Sequence, residues 1–438
     1  MFVDRADELD SIGEKLQSDR FELIVIYGRR RIGKTRMVVE SVKDLDHVFF
    51  LATESDNIYH FKQEVGQKVE GVLHSADDWE SLLRNLKDRI IILDEFPNLI
   101  TEDRTVLSRF QKIVDLHLAS TRTKVILLGS SISMMTDQVL GYKSPLYGRR
   151  TSSMELGPLK FKHLKEFFPD TSWEERCRIF AITDGIPHYI LKTTAPVFDW
   201  LENEIKRPDS FLREEVDFLL RYEFTDSRTY RRILEAISSG NNVPKDIKDR
   251  TGMKHSDLTP YLRNLTELKM VKREVPITEN EGSRKGRYFI TDNMMKFWFK
   301  FILPNRSAIQ EDIFEVNQIK DEFNTYMGDV FERIARELVM DLNLNDSLPL
   351  RFNEAGRWWH KGDEIDLVCL NRREKKALLM EFKWQDLNRT DAERIIERTR
   401  EKGALLGLNE YELHYGIVCK RSSFKDGTIF DLSDFDRI

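Results

Sequence analysis

Residues 21–40 read FELIVIYGRRRIGKTRMVVE. An apolar run from Phe21 to Tyr27 is followed by a loop of Gly and Arg, and from Lys34 onward the pattern turns helical. Strand, loop and helix in that order place Gly28, Gly33, Lys34 and Thr35 at the spacing GxxxxGK[ST], whose glycines let backbone N–H groups wrap a polyphosphate. Lys34 is expected to neutralise the β- and γ-phosphate charges, and the Thr35 hydroxyl to complete the coordination of Mg²⁺. The expected nucleotide-contacting segment is therefore Gly28, Arg29, Arg30, Arg31, Ile32, Gly33, Lys34, Thr35 and Arg36, with ATP as cofactor.

The runs HVFFLAT, RIIILDEF and KVILLGS alternate with amphipathic stretches through residues 1–158. That alternation predicts an α/β core with a parallel sheet and crossover helices. RIIILDEF ends in Asp94, expected to hold Mg²⁺ through water, and Glu95, expected to orient and deprotonate the attacking water, because phosphoryl transfer depends on positioning and charge stabilisation. Ser130 and Ser131 end the next run, where a polar residue either touches the γ-phosphate or caps a helix. Arg149 and Arg150 in SPLYGRRT are either an arginine finger or surface charge, and a finger acting in trans implies a homo-oligomer.

Residues 159–225 turn helical and read as a lid, with the turn GIPHY at Gly185 to Tyr189. Over 226–306, three helical stretches precede MVKREVPITENEGSRKGRYFIT, two β-rich runs around a Gly- and charge-rich loop, and this order suggests a winged helix. HSDLTPYLRNLTELKM is its recognition helix and SRKGR its wing tip. Lys254, Arg263, Arg284, Lys285 and Arg287 are the candidates to meet DNA phosphates. Interleaved acids (Asp257, Glu267, Glu274, Glu279) leave open an interdomain packing role instead.

The remaining 307–438 read as a second α/β domain, with a helix around Asp329 to Met340 and strands DEIDLVCL and KALLMEFKW. Glu381 and Lys383, two apart in a strand, share a face with each other. Glu332 lies beside the apolar stripe Phe331, Ile334, Ala335 and Leu338, within reach of the sheet edge. Asp366 and Glu381 are hard oxygen ligands suited to Mg²⁺ or Mn²⁺, while Lys383 can orient a water and stabilise phosphate charge, a set that hydrolyses phosphodiesters. Charged residues also flank apolar strands without any catalytic meaning. Trp358 and Trp359 either stack on bases or fill a core.

With 438 residues the chain has room for two to four domains, and its net charge of -6 provides no global attraction to nucleic acid, so DNA binding requires a local patch. No run reaches the roughly 18 apolar residues of a membrane span, and the charged N-terminus does not resemble a signal peptide; the expected location is cytoplasmic, with no membrane partner. Cys177, Cys369 and Cys419 lack CxxC spacing and read as small buried hydrophobes.

FVDRADEL, GRRRIGKT, ILDEF, LLGSS, LYGRR and GIPHY, in this order over residues 1–225, resemble the archaeal ATPase family, a STAND-type branch of the AAA+ ATPases related to origin-recognition ATPases. The resemblance implies ATP/ADP binding and places Val3, Asp4 and Arg5 near the adenine. It also implies that GIPHY stands in for the sensor-2 arginine, with slow or switch-like hydrolysis. E…D…ExK over 308–438 resembles the PD-(D/E)xK nuclease fold, and the pattern RWW…EID…ExKW is similar to the C-terminal domain of unknown function that accompanies many archaeal ATPases. Two functions are compatible with these signals. One is an ATPase that governs a metal-dependent DNA nuclease; the other is a nucleotide-switched regulator whose nuclease-like domain only makes contacts.

Overall fold

The computed structural model describes residues 2–437, with His255 described by its backbone alone. The chain divides into two units. One takes Met1–Leu159 and returns for Ile186–His188, and the other takes Lys160–Gly185 and Tyr189–Ile438.

In the first unit, β1 (Glu22–Tyr27), β2 (His47–Leu51), β3 (Ile90–Asp94), β4 (Lys124–Gly129) and β5 (Ser152–Glu155) form a parallel sheet in the order β2-β3-β4-β1-β5. Leu23, Val25, Ile91, Leu93, Val125 and Leu127 face one core with Phe61, Trp79 and Phe110; Ile24, Ile26, Ile92, Ile126 and Leu128 face another with Met37 and Val38. Because helices cover both faces, the inner strands read as unbroken aliphatic runs. β4 lies between β1 and β3, so the carboxyl ends of the three strands that carry the phosphate loop, the paired serines and the paired acids lie side by side.

The second unit opens with helices, among them Trp173–Thr183, Val197–Lys206 and Phe211–Glu223. Ser227–Ser238, Pro244–Thr251 and His255–Glu267 then precede an antiparallel hairpin of β6 (Val271–Glu274) and β7 (Arg287–Ile290), with Val271 opposite Ile290 and Glu274 opposite Arg287. A 28-residue helix, Asn317–Leu344, leads into a mixed sheet. Its strands β8 (Glu354–His360), β9 (Asp363–Asn371), β10 (Lys376–Leu387), β11 (Glu412–Ser422) and β12 (Ile429–Asp431) lie in the order β12-β11-β10-β9-β8. β8, β9 and β10 are antiparallel neighbours, and the helix Arg389–Gly403 carries the chain across to β11, parallel to β10. The long helix packs on one face of β10, where Phe331 meets Trp384 at 5.4 Å between ring centroids. Among the described residues no helix is long and apolar enough to cross a membrane.

Asp184, at the end of the helix Trp173–Thr183, holds three segments of this unit together. Its carboxylate accepts from Gly185 N at 2.7 Å, from Asn293 N at 2.9 Å and from Arg333 Nη1 of the long helix at 2.8 Å. Burial alone would raise its pKa, but Arg333 and the two backbone donors more than offset this and hold the carboxyl below its ordinary value. Arg333 also lies over the Phe180 ring at 5.0 Å, and Tyr326 Oη donates to Ala181 O at 2.7 Å, so the same helices meet in packing as well as in charge.

One turn further along the long helix, Glu337 Oε2 accepts from Phe161 N at 2.7 Å. Burial pushes this carboxyl from 4.5 up to about 7, against the opposing pull of Arg333 and the Phe161 amide. As pH rises, the unfolded chain ionises first, so the stability that neutral Glu337 contributes at low pH is lost as the pH climbs from 4.5 to about 7. Glu337→Gln keeps an acceptor for Phe161 without the charge. The variant should match the parent in thermal unfolding at pH 5 and exceed it by about 1–3 kcal/mol at pH 8. Equal stability at both pH values would contradict the assignment.

Candidate functional site

The phosphate loop begins at a residue that has no room for a side chain. Leu156 N, just past β5, donates to Tyr27 O at 2.7 Å, and this brings Leu156 O to within 2.4 Å of where a Cβ on Gly28 would stand. Gly28 also has φ +150°, and Gly33 enters the helix Lys34–Ser41 with φ +96°. No side chain caps that helix, so its first N–H groups are directed at the loop, where a phosphate is favoured by both donors and dipole.

Lys34 Nζ donates to Gly28 O at 2.8 Å, to Arg29 O at 3.0 Å and to Ser130 Oγ at 3.0 Å. Ser130 Oγ in turn donates to Glu95 Oε1 at 2.5 Å, so one hydroxyl joins the cation to the expected general base. Thr35 Oγ1 donates to Asp94 Oδ2 at 2.6 Å, and Glu95 N to Asp94 Oδ1 at 2.8 Å. Burial is the main cause of the raised pKa of Asp94, a cost that a divalent cation would relieve. Two hard oxygens that already touch, beside a phosphate cradle, fit Mg²⁺, which takes few protein ligands and fills its shell with water and phosphate oxygens.

Of the two serines, Ser130 makes the bridge, while Ser131 caps the following turn by accepting from Met134 N at 3.4 Å. The Ile32 side chain is core, packed with Met37 and Val38, which leaves only its backbone available to a phosphate. Arg29, Arg30 and Arg31 are half-buried along the loop, and Arg36 is exposed. Arg5 Nη2 donates to Gly157 O at 2.6 Å and Nη1 to Glu8 Oε1 at 3.0 Å; with the left-handed backbone of Asp4 and Arg5 and the buried Val3, it fixes the N-terminal turn beside the segment that follows β5. Arg149 makes a two-pronged pair with Asp115, both bonds 2.7 Å, and Arg150 donates to Leu140 O at 3.1 Å. Pro187 of the GIPHY turn lies 4.0 Å from the Cβ position of Gly33.

A second polar cluster occupies the mixed sheet. Lys383 Nζ stands between Glu381 Oε2 at 2.7 Å and Asp366 Oδ2 at 3.3 Å, and Phe382 N also donates to Asp366 Oδ2, at 2.7 Å. Burial raises the Asp366 pKa against the pull of Lys383; for Lys383 the two carboxylates outweigh burial and the ammonium is held above its ordinary value. Glu332 pairs with Arg357 Nη1 at 2.9 Å, and burial lifts its carboxyl to about 7 despite that pair. Among the described residues no three His, Cys, Asp or Glu side chains form a metal-binding group. Asp366 and Glu381 together suit an ion that keeps most of its water, as Mg²⁺ does. Trp358 and Trp359 are 3% and 7% exposed and fill the core rather than present a base-stacking face.

Three members of this cluster lie outside the sequence-predicted set. Lys402, on the helix Arg389–Gly403, donates to Glu381 Oε1 at 2.7 Å and to Glu364 O at 2.7 Å. It sits among many cations of a charged helix, 21 residues from its partner, so no spacing marks it. Arg357 is brought beside Glu364 by the pairing of β8 with β9, whereas Glu364 lies two residues before Asp366 on β9, a same-face spacing that could have found it.

A phosphate loop closed by Lys34 and backed by Asp94, Glu95 and Ser130 on neighbouring parallel strands defines a P-loop ATPase domain. Residues 2–193 match the family described as an ATPase domain predominantly from Archaea, and residues 298–395 match one described as archaeal and bacterial proteins of unknown function. Over 438 residues the chain is 53% identical to the uncharacterized protein MJECL04 of Methanocaldococcus jannaschii, covering 99% of this chain and 100% of that one. The chain belongs to this archaeal ATPase family. Its fold is similar to that of the Walker-type ATPase of Pyrococcus abyssi, with a TM-score of 0.52 and 20% identity over 68% of this chain and 96% of that one.

Ser130→Ala removes the hydroxyl between Lys34 and Glu95 while leaving the loop intact. A hydrogen bond to a charged group is worth about 1.5–3 kcal/mol, so ATP hydrolysis should slow about ten- to a hundredfold with the nucleotide Kd little changed. Turnover and nucleotide titration on the same preparation check this, and a loss of binding equal to the loss of rate would contradict it.

Proposed function

We propose that the chain binds and hydrolyses ATP and couples the nucleotide state to DNA, on which its C-terminal sheet acts as a metal-dependent nuclease. The observation that carries the ATPase part is the line Lys34–Ser130–Glu95 beside the Thr35–Asp94 contact. Lys34 neutralises phosphate charge, Thr35 and, through water, Asp94 would hold Mg²⁺, Glu95 orients and deprotonates the attacking water, and Ser130 keeps Glu95 in register with Lys34. In a homo-oligomer Arg150 is the better candidate for a finger acting in trans, since Arg149 is already paired with Asp115. Lys34→Ala should abolish productive ATP binding. Glu95→Gln should bind ATP but hydrolyse it about a hundredfold or more slowly. Phosphate release at the normal rate by Glu95→Gln would remove Glu95 from the role of base.

Support for the nuclease part is the set Asp366, Glu381 and Lys383 on β9 and β10, a strand pair that follows a long helix and precedes a crossover helix to a parallel strand. A divalent ion held by Asp366 and Glu381 would polarise the scissile phosphate. Lys383, between the two carboxylates, stabilises the charge that develops on it, and Lys402 fixes Glu381 from the other side. We read the three-helix and hairpin segment as a winged helix, with Lys254, Arg263 and Arg284 as its candidate DNA contacts. The second reading, a nucleotide-switched regulator, is favoured by one observation: the wing cations Lys285 and Arg287 are engaged by Glu279 and Glu364 of the same chain. Incubation with duplex, single-stranded and branched DNA, with and without Mg²⁺ or Mn²⁺ and ATP, decides between them. Cleavage lost in Asp366→Ala, Glu381→Ala and Lys383→Ala with ATP hydrolysis intact supports the nuclease. No cleavage in any condition supports the regulator.

A further inference from the structure

β8 is the outer strand of the mixed sheet, and its free edge is met by the chain that leaves β6. Ile277 N donates to Arg357 O at 2.9 Å, and the Ile277 side chain packs against the core that holds Trp358 and Ile365. At the other end of the loop, Arg287 lies over the Trp359 ring at 4.6 Å and donates to Glu364 Oε2 at 3.1 Å. Glu364 also pairs with Arg357, which stacks on Phe289 of β7 at 5.0 Å and pairs with Glu332 at 2.9 Å. Charges of alternating sign thus run Arg287, Glu364, Arg357, Glu332, from the hairpin to the long helix, and Glu332 is near enough to Asp366 for the two carboxylates to feel each other.

The two halves of this attachment differ in kind. The Ile277 contact is a backbone hydrogen bond with apolar packing and carries no charge for salt to screen, whereas Arg287 and Glu364 keep 26% and 33% of their side-chain surface, and ion pairs so exposed are individually weak and screened. A phosphate backbone offers guanidinium groups the same paired oxygens as a carboxylate, at higher charge density. We propose that the loop between β6 and β7 is a latch on β8, tied to the C-terminal site through Arg357 and Glu332 and opened by a DNA phosphate backbone that displaces Glu364 from Arg287 and Arg357. The two arginines, silent toward DNA in the closed form, become its phosphate contacts in the open one. This inference rests on the reading that the C-terminal site acts on DNA.

The test uses the full chain and a short duplex in the absence of divalent metal, so that binding and opening are read without cleavage. Glu364→Gln keeps the shape of the residue but releases both guanidiniums, and should tighten duplex binding about tenfold. Arg287→Ala and Arg357→Ala should weaken it by a similar factor. Hydrogen exchange at the Ile277 amide should accelerate in Glu364→Gln and, in the unaltered protein, on addition of duplex. Unchanged or weaker binding by Glu364→Gln overturns the latch, as does an Ile277 amide that exchanges no faster with duplex present; the second measurement needs no variant. Opening and tighter binding with no cleavage once metal is restored would leave the latch standing and remove only the nuclease.

Discussion

The larger unit depends on one buried carboxylate. Asp184 has three donors from three stretches of chain, and one of them, Arg333, is next in sequence to Glu332 of the C-terminal cluster. An ionised group so deeply buried is tolerated only when its partners meet it in good geometry, and removing one partner of such a pair typically costs about 3–5 kcal/mol. The consequence is positional. The register of the long helix against the helix Trp173–Thr183 is set by where Arg333 must stand, and that register places Glu332 beside Arg357 and Asp366.

The smaller unit obeys a different constraint, the order of its strands. With β4 between β1 and β3, the tip of β4 lies between the other two tips, and its serine is the one that joins Lys34 to Glu95. Nothing in this relation depends on sequence distance. It follows from a sheet in which β1 pairs with β4 rather than with β2, and where strand order breaks in this way a ligand binds at the carboxyl edge.

Legibility from the sequence tracks how local the physics is. The three inner strands β1, β3 and β4 could be read because burial on both faces leaves no polar alternation to confuse them. β5, SSME, could not, since an edge strand with three half-buried residues and one exposed needs no apolar run. Glu381 and Lys383 were legible as a pair because strand geometry alone puts residues two apart on one face. Lys402 was not, because its place beside Glu381 is created by a crossover helix returning over the sheet. The partners of the hairpin cations were hidden for a related reason. Arg287 has the composition of a wing tip, but its partner Glu364 lies 77 residues away, and a sequence gives no account of charges neutralised at that distance.

The path of the chain through Asp184 to Tyr189 bears on how the protein can be handled. Gly185 belongs to the larger unit, Ile186–His188 to the smaller, and Tyr189 to the larger again, where its hydroxyl donates to Glu215 at 2.6 Å. The backbone therefore enters and leaves the nucleotide-binding unit a second time within a few residues. No single cut separates the two. A fragment ending at Leu159 lacks the Pro187 that lies close to Gly33, and its complement carries that stretch without the partner it packs on. Nucleotide affinities measured on such a truncation describe an incomplete site, and a protease that nicks near residue 160 leaves Ile186–His188 of the nucleotide-binding unit on the C-terminal piece.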